Sequence, residues 1–421
     1  MSTFDFRSLL PTAIPHVIAL AAMIFASTMV FPPLMLENKV LNQDDIRNNI
    51  GMAKETRDVQ MREGESPHWT NSMFGGMPTI QIVGVDILTA PKAIWMAVRK
   101  SLPDGTGTLV VAMLSAYALG LCLGLSPWLS LLLAMGFGLS SVNVLYLGAG
   151  HATKVKAIAT MPGVLAGVVL VLRGKIWGGT AVAAFFTAIH IQAGHVQITY
   201  YLMFLILAVV LWAGAEALRE GKLSSFLRTG LLLAAGAIAA ALTQTSQLAL
   251  TEQYSEYTTR GKSNLVADID EQPKDGLDRQ YILEYSMADG EWLSIICPDI
   301  KGGNNPLYWG EQAFSGGAFY FGAILVALFF MFLVAGRDRL RWPLIVISAL
   351  AILLSRRDGG VLTDFFLDHV PAFSKFRDTK MMLVLVLMTV SMGAALGLKE
   401  LIGEMSQPGG MLNKRRWWWL G

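Results

Sequence analysis

The sequence predicts an all-α integral membrane protein of about ten transmembrane helices, with two large loops on the outer face. Three observations predict it. Of 421 residues, 53% are hydrophobic and 15% charged, where soluble domains carry roughly 25% charged residues. Apolar runs of about the length that crosses a bilayer recur along the chain. The Lys and Arg residues of the short connections gather on one side if those runs alternate.

The runs fall near 11–35, 106–126, 127–148, 155–172, 176–194, 196–213, 227–250, 313–335, 342–355 and 379–398. Helical spans are forced, because lipid offers no partner to exposed backbone groups. The first run is read as an uncleaved anchor, since its A-x-A match at Ala19–Ala21 lies mid-run and not at a polar end. The run at 342–355 is short enough for a tilted or half-span segment. GLCLG (Gly120, Gly124) and GVLAG (Gly163, Gly167) have small-xxx-small spacing suited to close helix contact. Arg173/Lys175, Arg219/Lys222/Arg228, Arg337/Arg339/Arg341 and Lys414/Arg415/Arg416 mark the cytoplasmic side, with both termini there. The chain divides into an anchor (1–35), an outer catalytic-type loop with an interfacial helix (36–105), a helix bundle (106–250), an outer loop (251–312), and C-terminal helices with a basic cytoplasmic tail (313–421). In the first outer loop, 87–100 is amphipathic and suited to lying flat at the interface. A net charge of +2, and no basic run interleaved with aromatics before the C-terminus, argue against nucleic acid. Cys122 and Cys297 lie in different settings, which argues against a disulfide, and no CxxC or His/Cys cluster suggests zinc.

The polar groups concentrate on the outer face. The stretch 41–81 carries Asp44, Asp45, Glu55, a Trp69–Asn71 element and the turn MFGGMP. It reads either as a solvated linker or as an active-site loop with Asp45 as catalytic base. GAGHATKVK supplies His151, Lys154 and Lys156, and IHIQAGHVQITYY supplies His190, His195 and Gln197. Each histidine is a structural residue or a ligand, and His151 and His195 meet only if their spans pack together. Segment 355–378 is rich in cations: Arg356, Arg357, Lys375 and Arg377, with Lys380 beyond. These bind a phosphate, or pair with Asp358, Asp364, Asp368 and Asp378. The aromatics of 251–312 suit stacking on sugars, capping a lipid headgroup, or an ordinary interface.

The elements QDDIRNNIGMAKE, WTNSMFGGMPTIQI, GHATKVKAIATMP, GHVQITYY, EYTTRG, GLDRQYILEYS, PDIKGG, YWGEQAF and FSKFRDTKM run in order from about residue 40 to 385. Together they resemble the YfhO-type bacterial membrane proteins, in the form common in Bacteroidetes. The resemblance implies a GT-C-like architecture in the bacterial inner membrane. It also implies glycosyl transfer from a polyprenyl-phosphate sugar to an envelope acceptor, with a divalent cation as an open cofactor. It places catalysis at Asp45 with Asp44 as neighbour, and donor-phosphate binding at Lys154, Lys375 and Arg377. His151, His195, Gln197, Trp69 and Asn71 fall at substrate-binding positions. Relatives of this type run longer past the KFR element, and GGAFY stands here where they tend to have Gly-Pro before the tyrosine. LLSRRDGG and KFRDTKM also differ from the usual pattern. These departures leave a catalytically silent subunit of a larger membrane complex as the alternative. A transporter is disfavoured by mid-span regions that are almost wholly apolar, and a nucleotide-sugar enzyme by the lack of a P-loop or dinucleotide fingerprint.

Overall fold

The computed structural model describes residues 6–84, 89–261, 276–312 and 317–405. The predicted tail cations Lys414, Arg415 and Arg416 and the start of the 87–100 segment lie outside the described residues. A long first helix, α1 (Phe6–Val30), leads into α2 (Pro32–Leu36), α3 (Asp44–Met52) and α4 (Lys54–Glu63). A two-residue antiparallel pair follows, β1 (Trp69–Thr70) with β2 (Met77–Pro78), then α5 (Ile80–Val83) and α6 (Ala90–Ser101). The bundle comprises α7 (Asp104–Cys122), α8 (Pro127–Gly138), α9 (Ser141–Ala149), α10 (Ala152–Leu172), α11 (Ile176–Gln192), α12 (Val196–Arg219) and α13 (Leu223–Leu242). Beyond it come α14 (Thr245–Ser255), α15 (Arg279–Leu283), α16 (Ala323–Ala335), α17 (Arg341–Leu354), α18 (Val361–His369) and α19 (Leu383–Met405).

Among the described residues, six helices are long and apolar enough to cross a membrane, and the bent pair α8–α9 would make a seventh. Three more of the predicted runs form shorter apolar helices of 17, 13 and 14 residues, α11, α16 and α17. At about 1.5 Å per residue the last two reach roughly 20 Å, short of a hydrocarbon core about 30 Å thick. Three boundaries differ from expectation. The described part of the run at 313–335, from 317 onward, becomes helical only at Ala323, and 227–250 divides into α13 and α14. The run at 127–148 breaks after Gly138 with a 40° bend. Buried Asn143 explains why the break is tolerated: its amide donates to the carbonyls of Phe137 (2.8 Å) and Gly138 (3.1 Å), which the interrupted helix leaves without partners.

Two helices form the centre. Of the candidate spans, α10 and α19 are 83% and 94% buried, whereas α13 is only 6% buried. Glycine notches set the packing. A Cβ at Gly163 would lie 2.2 Å from the Phe186 ring, and one at Gly167 2.3 Å from the Ala183 backbone, so α10 and α11 meet nearly backbone to backbone. Gly393 and Gly397 on α19 receive Phe329 and Phe332 of α16 in the same way. Of the GLCLG pair, Gly120 faces Ser130 of α8, but Gly124 turns the chain at φ +70° beneath Arg173 and is no helix contact. The amphipathic segment forms α6 as expected. Its Trp95 is 5% exposed and packs inward, with Lys156 Nζ 5.6 Å from its ring, so the apolar face meets the bundle.

Gly167→Val should separate α10 from α11 and cost about 1–3 kcal/mol by overpacking. The check is thermal unfolding of the purified protein, with Gly178→Val, whose added carbon meets nothing within 4 Å, as the control.

Candidate functional site

The site grows out of the helix break. After Asn143 restarts the helix, α9 ends at Gly150 in the left-handed conformation (φ +89°). A Cβ there would approach the Cβ atoms of Gln43 and Asp45 to 3.1 and 3.2 Å, so glycine allows the Asp45 segment to lie against the start of α10. Gln43 fixes that approach by donating its side-chain amide to the Leu147 carbonyl at the end of α9. Asp45 then sits with Oδ2 2.8 Å from His151 Nδ1. The His151 ring packs beside Tyr146, centroids 5.6 Å apart. Burial, then the charge of Lys154, lowers the His151 pKa, with Asp45 pulling the other way. The imidazole is therefore mainly neutral near pH 7, with Nδ1–H directed at the carboxylate and Nε2 carrying the lone pair.

Cations on aromatic faces surround this pair. Lys154 is 6% exposed and holds its Nζ 4.2 Å from the Tyr146 centroid. Tyr146 makes an edge contact with Phe319, and Lys380 Nζ lies 5.4 Å from the Phe319 ring. Lys380 also donates to Gln312 Oε1 (2.7 Å), whose amide nitrogen donates to Glu291. Glu291 is a buried carboxylate saturated by the Ala288 N–H, Tyr308 and Gln312. Burial, then the bond to Glu291, pushes the Tyr308 hydroxyl up to about 12, so it stays a donor. Arg377 donates to the Tyr281 hydroxyl (2.6 Å) and lies over the rings of Tyr281 and Tyr285. Among the described residues, Lys154, Arg377 and Lys380 have no carboxylate within ion-pair distance. Asp378, at φ +61°, completes the group: its Oδ1 is buried without a hydrogen-bond partner, and its charge acts on both Lys154 and His151.

The predicted residues divide accordingly. Asp45, His151 and Lys154 come into electrostatic range of one another, and Arg377 into that of Lys154. Gln197 joins them by donating to the Arg377 carbonyl (2.7 Å), a clamp on the backbone. Asp44 instead turns outward into an exposed pair with Arg47. Trp69 and Asn71 bond to each other (3.1 Å), and Glu55 gathers the Thr70 hydroxyl and the N–H groups of Asn71 and Ser72. Those bonds, the Thr70 hydroxyl first, lower the Glu55 pKa, so it is a structural tether of the β1–β2 turn. The Lys375 carbonyl accepts from Arg260 (3.1 Å). Arg356 pairs with Asp358, the carboxylate pairing that the sequence offers as the alternative to phosphate binding, and Arg279 pairs with Asp364 (2.7 Å). His190 is buried against Ala157 and Thr160. Tyr146, Phe319 and Gln312 were not expected. Their only sequence signal is position beside a charged motif, because aromatic and amide residues are common in spans and loops. Among the described residues, no group of three or more His, Cys, Asp or Glu is placed to hold a metal ion.

His195 acts as a helix cap, with Nδ1 accepting the Ile198 N–H at 3.3 Å. Burial, then Lys154, lowers its pKa to about 3 from 6.5. A depressed imidazole pKa means the unfolded chain binds more protons between those values, so stability is full above about pH 6.5 and falls as pH drops toward 3. His195→Asn should keep the cap and flatten this acid slope, whereas His195→Ala should also lose about 0.5–2 kcal/mol. Chemical denaturation across pH reads both. Gly150→Ala should cost about 1–2 kcal/mol for the left-handed residue and part Asp45 from His151, read as faster modification of His151 by diethylpyrocarbonate. Comparison with family models, curated proteins and solved structures finds no match to the chain.

Proposed function

We propose that the protein transfers a sugar from a polyprenyl-phosphate donor to a hydroxyl of a cell-envelope acceptor, at the outer face of the bacterial cytoplasmic membrane. The observation that carries the reading is the Asp45–His151 pair at 2.8 Å beside the buried cation Lys154. In this reading His151 Nε2 takes the proton of the acceptor hydroxyl. Asp45 holds the other ring nitrogen and stabilises the imidazolium that forms. The acceptor oxygen bonds to the anomeric carbon as the bond from that carbon to the phosphate oxygen breaks, and the phosphate leaves with the electron pair. Lys154 and Arg377 are the groups suited to the developing phosphate charge, because neither is consumed by a carboxylate. Asp45 thus acts through the imidazole, a refinement of its expected role as direct base.

A structural subunit is the second reading. It draws on α1 and α13, whose apolar spans are only 17% and 6% buried and are free to meet partner chains as well as lipid.

Assay of the purified protein in liposomes with a polyprenyl-phosphate sugar and an envelope acceptor distinguishes the two. Asp45→Asn and His151→Ala should each lower transfer about 10²–10⁴-fold with little change in folding. Full activity in either variant would remove the pair from the mechanism. A wild-type protein that transfers nothing and co-purifies with other membrane chains would favour the subunit.

A further inference from the structure

A second site lies at the other end of α10. A cavity of about 530 Å³ opens where the ends of α10 and α12 meet the start of α13 and the turn at Asp338–Leu340. That volume is in the roughly 300–1,000 Å³ range of small-ligand sites. The opening follows from the packing: α13 runs along α11 and meets the consecutive α12 much less, with Phe226 against Gly214. Its walls are apolar, formed by Val169, Leu172, Val209, Trp212 and Phe226. The Trp212 indole N–H is enclosed with no acceptor. The cleft flanks α13, the least buried of the candidate spans among the described residues.

The rim carries charges of both signs. Arg339 pairs with Glu216 (3.0 Å) and Lys222 with Glu220 (2.8 Å). Exposed pairs of this kind contribute little to stability, so they re-pair readily with a better partner. Arg173 has no carboxylate partner among the described residues and gives one guanidinium nitrogen to the Leu123 carbonyl (2.8 Å). All these groups sit at the ends of spans, the depth of a headgroup.

We propose that this cavity binds one membrane phospholipid with an ethanolamine headgroup. An acyl chain fills the apolar cleft, the phosphate meets Arg173 and Lys222, and the primary ammonium donates to Glu216 and Glu220. An anionic glycerol headgroup that draws Lys222 to its phosphate takes the partner of Glu220 and supplies no cation in its place. A choline headgroup carries the positive charge but no N–H donor. The proposal is independent of the transfer reaction at the Asp45–His151 pair.

The test uses the full chain, purified and exchanged into micelles holding equal phosphatidylethanolamine, phosphatidylglycerol and phosphatidylcholine, with retained lipid counted by native mass spectrometry. One phosphatidylethanolamine should be retained with about tenfold preference. Glu216→Gln should remove that preference, Arg173→Ala should lower retention of all three lipids together because each carries the phosphate, and Ala213→Trp, which fills the cavity, should remove lipid retention at this site. Thermal unfolding serves as the folding control, and the Glu216→Gln result decides if Ala213→Trp fails to fold. Equal retention of the three lipids, no retained lipid, or a preference unchanged in Glu216→Gln would overturn the proposal.

Discussion

The break between α8 and α9 is the constraint on which the candidate site depends. An interrupted helix inside a membrane bundle frees backbone carbonyls that water cannot reach, each costing about 1–3 kcal/mol if left unpaired. Asn143 answers two of them. Ser141, at the same break, donates to the carbonyl of Ala318 (2.7 Å) and accepts the N–H of Tyr320 (2.8 Å). One short turn therefore positions α9, which carries Tyr146 and ends at Gly150, and the irregular segment that carries Phe319. The two aromatic faces beneath Lys154 and Lys380 are set by the same few hydrogen bonds.

The electrostatics then separate into two populations. Cations at the periphery of the 355–378 segment and nearby are met by carboxylates: Arg356 by Asp358, and Arg279 by Asp364. Those at the centre rest on aromatic rings. A cation–π contact of about 0.5–2 kcal/mol holds an ammonium or guanidinium in place without neutralising it. The centre thus retains positive field for an incoming anion. The two carboxylates that remain close, Asp45 and Asp378, have different surroundings. Asp45 is held by His151, whereas Asp378 has a left-handed backbone and one oxygen without a donor.

Helix α10 links two chemically distinct ends. Its first turn brings His151 and Lys154 to a charged cluster, and its last turn borders a wide apolar cleft rimmed by Arg173. Between them Gly163 and Gly167 lock it against α11. On the other side of α10, α13 packs along α11 more than along α12, and the cleft lies among the ends of α10 and α12 and the start of α13.

The sequence alone determined the helical class and the approximate position of each apolar run. Both rest on local quantities, since hydropathy over a window needs no knowledge of neighbours. It also marked out the polar motifs, because a charged residue beside an apolar run is conspicuous wherever it finally sits. Which of those motifs converge was decided only by tertiary structure. Asp44 and Asp45 are adjacent in sequence, yet one faces Arg47 at the surface and the other His151. The choice rests on the side-chain directions of α3 and on Gly150, whose missing Cβ lets the Asp45 backbone lie close. Trp69 and Asn71 carry groups suited to a ligand, but Glu55, sixteen residues before Asn71, captures that turn. The break at Asn143, the aromatic supports of the cations and the cleft beside α12 arise from contacts between residues far apart in the chain, which no local pattern encodes.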